Sequence, residues 1–223
     1  MQNFFDAEFW SIVAVTMRVT VSSTIISSIL GIPLGIWLQK ISFRGKWLVI
    51  NINRALMASP PVVIGLVVYL LLMRNGPLGF FGLLFTVEAM IIAQVLLITP
   101  IICGATYAAA QRSAGEIRAF AHTMGANRMQ TLFLLMRELR GGIYFAIVVG
   151  FGRAISEVGA IMIVGGNIRH NTRTMTTAIA MMRNQGDFER AISFGVFLML
   201  MAFGIQIVIS LIRRKDMHID DGN

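Results

Sequence analysis

Charged residues are scarce in this sequence of 223 amino acids. They make up 13% of the chain, whereas hydrophobic residues make up 56% and the mean hydropathy is +0.74. A soluble domain carries roughly 25% charged residues because its surface must be wetted. The deficit therefore excludes a soluble globular domain and indicates a protein whose outer surface contacts lipid.

Two further scarcities limit the chemistry. The single cysteine, Cys103, permits neither an internal disulfide nor a cysteine metal site. His122, His170 and His218 are far apart in the sequence, and the chain has no Gly-x-x-x-x-Gly-Lys-Ser/Thr phosphate loop. We therefore expect no enzyme, no metal site and no cofactor bound by this chain, with any ATP hydrolysed elsewhere.

Long apolar runs predict an all-α integral membrane protein. A helix needs about 20 apolar residues to cross a bilayer, and five segments provide such a run: residues 19–38 (the helix beginning near Phe9), 55–73, 87–109, 142–164 and 191–212. Their continuity, without strand alternation, excludes a β-barrel. We expect a single domain over residues 1–223, with a membrane core at about 9–212.

The basic residues predict how these five spans are oriented. Of the 19 lysines and arginines, eleven fall on the face that carries the loop at 38–47, the segment at 110–140 and the C-terminus. The positive-inside rule makes that face cytoplasmic and places the N-terminus outside, so the net charge of +8 reflects orientation rather than a nucleic-acid partner. Five basic residues fall on the outer face, namely Arg74, Arg169, Arg173, Arg183 and Arg190.

Four of these outer arginines lie between the fourth and fifth spans, against the orientation rule. They form either an electropositive mouth that attracts an anion or an ordinary solvated loop balanced by Asp187 and Glu189.

The polar segment at about 111–140 predicts a helix–turn–helix insert. The run Ser113-Ala114-Gly115-Glu116 has the capping-box pattern that begins a helix, and Gly125 offers the left-handed conformation that ends one. Asn127 with Gln130 then predicts a second helix to about Leu139. Small residues around the turn suit a docking knob, although an amphipathic hairpin lying on the membrane fits equally well.

Motifs in this insert and in the spans resemble ABC importer permeases. Ala119-Phe120-Ala121 followed by Gly125 and Leu135 resembles their EAA loop, although Ala119 replaces the acid and Arg137-Glu138 replace the final Leu-Pro. Residues 57–65, 75–79 and 152–160 resemble the oxyanion branch of these permeases, which imports molybdate, sulfate and tungstate. Residues 164–168 and 172–179 are most similar to tungstate permeases of the TupB type.

The resemblance implies a type I ABC importer permease fold and a homodimeric pore. It also implies cytoplasmic ATPase subunits that use ATP and Mg²⁺, and an external oxyanion-binding protein. The residues that would couple to the ATPase are those of the insert, Ala119, Ala121, Gly125, Ala126 and Asn127. The predicted function is the import of tungstate, or a closely related oxyanion, across the cytoplasmic membrane.

Two alternatives remain open. One is a molybdate or sulfate permease of the same branch, and the other is a secondary anion carrier. A secondary carrier would show an internal repeat and acidic residues in its spans, whereas Glu157 is the only acid deep in a span.

Polar residues in and after the fourth span are the candidates for an anion path. Arg153 and Glu157 are four residues apart and should form an ion pair, which either fixes helix packing or holds Arg153 in the path. After the span, Asn167 and a run of threonines that includes Thr174 could donate hydrogen bonds to an oxyanion. A helix end followed by a re-entrant turn is the alternative there. Arg173 is the candidate for an external attracting charge.

Prolines and glycines in the spans predict the shape and packing of the helices. Pro33, Pro60 and Pro61 should kink their helices, and Gly31 with Gly35 should permit a close helix approach.

Overall fold

The computed structural model describes residues 6–220, without the side chains of residues 114, 209 and 212–220. All regular structure in this part of the chain is helical. The helices are α1 (Ala7–Lys40), α2 (Lys46–Met57), α3 (Pro61–Leu72), α4 (Val87–Thr123), α5 (Arg128–Glu138), α6 (Arg140–Ile155), α7 (Gly159–Gly165), α8 (Met175–Asn184) and α9 (Phe188–Asp220), with a 3-10 turn at Gly79–Phe81.

Three helices are long and apolar enough to cross a membrane, and two bent pairs bring the number of spans to five if each pair is one span. The long helices are α1, the Val87–Ser113 part of α4 and the Phe188–Val208 part of α9. The pairs are α2 with α3, bent by 99°, and α6 with α7, bent by 57°. The multi-pass membrane architecture agrees with the sequence prediction, but the second and fourth spans are broken rather than continuous.

The first break arises from proline chemistry. Pro60 has extended backbone angles, and Pro61 occupies the first position of α3, where a missing N–H costs nothing. Pro33 and Pro100, by contrast, lie inside uninterrupted helices.

The core is built on the packing of α1 against α4. A Cβ on Gly35 would lie 2.6 Å from the carbonyl oxygen of Cys103, and one on Gly31 would lie 3.1 Å from Cys103 N. These two glycines therefore permit the close approach that their spacing predicted. Buried hydroxyls, among them Ser23 and Thr20, follow the same face of α1.

The predicted start of the helix–turn–helix insert is wrong. Helix α4 continues through Ser113 to Thr123, so the capping-box pattern at 113–116 starts no helix. A capping side chain stabilises a helix start only where the backbone already breaks, and Gly115 alone is tolerated inside a helix. The turn at Gly125 (φ +66°) and the capping box of Asn127 with Gln130 are confirmed.

Candidate functional site

The two helix breaks lie against each other. A Cβ on Gly65 of α3 would lie 2.6 Å from Ala160 Cα of α7, and one on Gly159 would lie 2.8 Å from Val62 Cγ2. Gln94 of α4 contacts Ala154 at the end of α6. Gln94 is seven residues after Val87, the first residue of α4, so the α6–α7 break lies about 10 Å along α4 from that end. Irregular backbone at this depth is tolerated where it is buried in protein or lines a cavity.

Glu157 occupies the centre of the second break. Its side chain is only 3% exposed, and Glu157 Oε2 accepts an ion pair from Arg153 Nη1 at 2.9 Å. Its other oxygen, Oε1, accepts a hydrogen bond from Ala160 N at 3.0 Å, at the beginning of α7. The predicted ion pair is present, although Glu157 lies beyond the end of α6 rather than on the same helix face as Arg153.

Side chains add hydrogen bonds to the carbonyls at the end of α6, where Ala154 O also accepts from Glu157 N at 3.3 Å. Gln94 of α4 is 2% exposed, and its Nε2 donates to Ala154 O at 2.8 Å. Its Oε1 accepts from Ser23 Oγ of α1 at 2.6 Å. Ser156 Oγ donates to Gly152 O at 2.9 Å. The break is therefore a hydrogen-bonded junction of α1, α4, α6 and α7.

At the end of α6, this junction has a polar face that is exposed. The Arg153 side chain is 35% exposed, Ser156 is exposed, and a Cβ on Gly152 would meet no atom within 4 Å. A charge at membrane depth faces a partner or an aqueous cavity rather than lipid. This face is consequently the candidate for a polar path.

The threonines after α7 serve the fold. Thr174 caps α8 in a reciprocal capping box with Thr177. Thr176 Oγ1 donates to Glu157 O at 2.8 Å and lies 3.1 Å from Thr174 Oγ1, so the start of α8 lies beside the break. Thr172 Oγ1 donates to Gly165 O. These hydroxyls are buried and already hydrogen-bonded, which corrects the expectation that they are available donors.

Arg173 and Asn167 form a second group, together with Glu8 near the start of α1. Glu8 Oε1 accepts from Arg173 Nη1 at 2.9 Å, and its other oxygen accepts from Arg169 Nη2. The hydrogen bond and the charge of Glu8 raise the pKa of Arg169 above its usual value. Arg173 is 13% exposed, so it is a paired arginine rather than the open external charge that the sequence predicted.

Two buried atoms of this group lack hydrogen-bond partners within residues 6–220. They are Asn167 Oδ1 and Arg173 Nε. Asn167 also has a positive φ of 51°, in the turn that follows Gly166. Of the four predicted path residues, the structure thus places Arg153 and Thr174 near the break and Asn167 and Arg173 in this second group.

Gln94 and Glu8 were not predicted as site residues. An amide inside the apolar run at 87–109 could have pointed to Gln94, because a buried amide needs partners. Glu8 gave no such signal, since its partners are more than 160 residues away in the sequence.

The helix–turn–helix formed by the end of α4 and α5 exposes large apolar side chains around its turn. Phe120, Met124, Met129 and Phe133 are all more than half exposed. Ala119, Gly125 and Asn127 are also exposed, whereas Ala121 is fully buried. Ala121 accordingly supports the turn, where its carbonyl accepts from Ala126 N at 2.9 Å, and does not form its outer surface.

Comparison with known proteins identifies the family. The sequence-family model of binding-protein-dependent transport system inner membrane components matches residues 31–215 of this chain. This chain belongs to that family. It is 43% identical over 205 residues to the tungstate uptake system permease protein TupB of Peptoclostridium acidaminophilum, covering 92% of this chain and 90% of that protein. It is 40% identical over 200 residues to a probable anion ABC transporter permease protein of Haloferax volcanii, covering 87% and 86%.

A solved structure supports the same fold. The chain superposes with a TM-score of 0.77 on a chain of a bacterial ABC transporter involved in the import of the acidic polysaccharide alginate, at 18% identity, covering 95% of this chain and 81% of that one. This permease therefore has the type I ABC importer fold, and it is a membrane-spanning subunit rather than an enzyme. Its family implies a substrate-binding protein and a separate subunit that hydrolyses ATP.

Proposed function

We propose that this permease carries tungstate, or a closely related oxyanion, into the cytoplasm. The supporting observation is the 43% identity to a tungstate permease over nearly the full length of both chains. Molybdenum and sulfate permeases are more distant, at 26% for ModB of Azotobacter vinelandii and 23% for CysW of Escherichia coli. A secondary carrier has no support from these relatives.

The anion path of this proposal runs along the polar face at the α6–α7 break. Arg153 supplies the positive charge, and Glu157 holds its guanidinium in place through the 2.9 Å ion pair. On the outside, Arg173 supplies a second charge, with Asn167 in the same group, whereas Thr174 caps α8 beside the break. Because Glu8 neutralises part of that charge, we expect Arg173 to act mainly at low ionic strength, where screening is weak.

The ATPase docks, in this proposal, on the hairpin of α4 and α5. The exposed Phe120, Met124, Met129 and Phe133 form an apolar patch on either side of Gly125, and such a patch on a polar hairpin marks a protein interface. Ala119, Ala126 and Asn127 complete the turn, with Ala121 beneath it. The hairpin is then cytoplasmic, the N-terminus is outside, and the C-terminus is cytoplasmic.

The assembly consists of two copies of this chain, which forms a single domain over residues 1–223, with two ATPase subunits that use ATP and Mg²⁺. An external oxyanion-binding protein delivers the anion. The chain itself holds no cofactor in this proposal.

Uptake by the reconstituted transporter tests the substrate. Proteoliposomes that contain this permease, its ATPase and its binding protein should take up tungstate when ATP is present on the ATPase side. Molybdate and sulfate serve as competitors in the same vesicles. Preferential uptake of sulfate, or uptake without ATP, would contradict the proposal.

The docking surface is tested at Gly125, whose φ of +66° is strained for other residues but tolerated by asparagine. Gly125→Val should insert in the membrane but lose ATPase co-purification and transport. Gly125→Asn is the matched control and should retain both. Normal co-purification of Gly125→Val would remove the turn from the docking surface.

Cysteine labelling tests the orientation. In a Cys103→Ala background, a cysteine at Asn75 should react with an impermeant thiol reagent in intact cells. A cysteine at Gln111 should react only after the cells are opened. The opposite pattern would invert the proposed topology.

A further inference from the structure

A small cavity lies between α1, α2 and α4, in the half of the Val87–Ser113 span of α4 that leads to the hairpin. Its volume is about 170 Å³, and its walls include Leu38, Ile50, Met57 and Tyr107. Leu38 is two residues from the end of α1. Arg54 is the one charged residue among the ten described residues that line the cavity. The cavity thus combines apolar walls with a positive charge.

Arg54 has no anionic partner among residues 6–220. Within residues 6–220, its guanidinium forms neither an ion pair nor a hydrogen bond. A second cation is close, because Lys46 Nζ lies 6.0 Å from the centroid of the Tyr107 ring. Cations beside hydrocarbon require an anionic partner or water, so these two residues favour an anion at the mouth of the cavity.

Helix α2 has the features of a helix near a membrane surface. It is bent by 99° from α3 and therefore runs across the direction of that helix. Trp47 is 77% exposed and lies seven residues before Arg54, on the same face. Leu48, Ile52 and Leu56 are exposed on the opposite face, away from the cavity. Tryptophan and basic residues beside an apolar face are typical of the membrane interface.

We propose that this cavity and the face of α2 that carries Arg54 and Trp47 bind an anionic phospholipid of the cytoplasmic leaflet. The phosphate contacts Arg54 and Lys46, and the adjoining part of an acyl chain contacts the apolar cavity walls at Leu38, Ile50 and Met57. Basic pockets between spans on the cytoplasmic side are suited to anionic headgroups. The inference rests on the proposed orientation, in which the hairpin end of α1 and α4 is cytoplasmic, but not on the transported substrate.

Fluorescence quenching by brominated lipids provides the test. The purified transporter, with its ATPase, is reconstituted in a Trp10→Phe/Trp37→Phe background, so that Trp47 is the remaining tryptophan of this chain. The ATPase contribution is subtracted with a Trp47→Phe sample. Brominated phosphatidylglycerol should quench Trp47 with about fivefold higher apparent affinity than brominated phosphatidylcholine, the effect expected for one basic residue near an anionic headgroup.

Substitutions assign this preference to Arg54. Arg54→Gln should reduce it below twofold, whereas Arg54→Lys should retain it. Arg74→Gln, an exposed arginine in the loop after α3, is the control and should change nothing. If Arg54→Gln does not accumulate in the membrane, Lys46→Gln replaces it, with a smaller expected loss.

Three results would overturn the inference. Equal quenching by the two lipids in the parent protein, or an unchanged preference in Arg54→Gln, would show that no anionic lipid binds at Arg54. Loss of the preference on adding millimolar inorganic phosphate would instead indicate a site for free oxyanions. Because the assay needs no transport, a different transported anion would leave its outcome unchanged.

Discussion

The two broken spans are made in different ways. Between α2 and α3, the break comes from the backbone of Pro60 and Pro61, and the bend is 99°. Between α6 and α7, the bend is 57°, and the segment from Arg140 to Gly165 contains no proline. That second break is held by side chains, namely Glu157 within it and Gln94 from α4.

The first bend is therefore imposed by the covalent structure of proline, whereas the second is imposed by contacts between helices. The proline break is a local property that persists whatever packs around it. The second break depends on residues that are distant in the sequence, and it contains an ion pair with one nearly buried partner. Mutations should therefore affect the second break far more than the first, and the transport chemistry we propose lies at the more sensitive of the two.

The largest effect is expected at Arg153. Arg153→Ala leaves the Glu157 carboxylate buried without its cation, and breaking such a pair costs about 3–5 kcal/mol. We expect a sharp fall in membrane-inserted protein and in the thermal stability of the detergent-solubilised permease.

The double variant Arg153→Ala/Glu157→Ala is the control for that loss. It removes both charges and should recover part of the yield, although Ala160 N loses its acceptor. A double variant no more stable than Arg153→Ala would show that the ion pair is not the cause. Uptake by the recovered double variant then reports on Arg153 as a path residue, separately from stability.

Sequence reasoning was most successful where the determinants are local or periodic. The length of the apolar runs predicted the spans, and Asn127 with Gln130 predicted the start of α5. Gly31 with Gly35 predicted a close helix approach, and the structure shows that the partner is α4. The four-residue spacing of Arg153 and Glu157 predicted their ion pair. Each of these features depends on a few neighbouring residues.

It failed where a distant contact decides the outcome. The bend after Ile155 is supported by Gln94, 60 residues earlier in the chain, which adds a side-chain hydrogen bond to Ala154 O. Arg173 has the sequence context of an exposed loop charge but pairs with Glu8, 165 residues away. The capping pattern at Ser113 was misleading because nothing breaks the backbone of α4 there.

An intermediate effect is expected at Gln94. Gln94→Leu removes the side-chain donor to the carbonyl oxygen of Ala154, which keeps its backbone donor Glu157 N. It also removes the shorter of the two hydrogen bonds of the Ser23 hydroxyl. We therefore expect a loss of about 1–2 kcal/mol in the free energy of unfolding. Ser23→Ala is the matched control, since it removes the same contact from α1 but leaves Gln94 bonded to Ala154 O. It should lower the midpoint of thermal unfolding less than Gln94→Leu does. An equal loss in the two variants would mean that the bond to Ala154 O contributes little to the break.

The smallest effect is expected at Pro61, and it separates the two breaks most directly. Pro61 occupies the first position of α3, where no N–H is needed, so Pro61→Ala should change the free energy of unfolding by less than about 1 kcal/mol. The bend should also persist, because Pro60 still restricts Ser59 and because Gly65 remains packed on Ala160. The measurement is the midpoint of thermal unfolding, with Pro60→Ala as the comparison. A loss for Pro61→Ala as large as that for Gln94→Leu would show that the first break, like the second, depends on specific contacts rather than on the proline backbone.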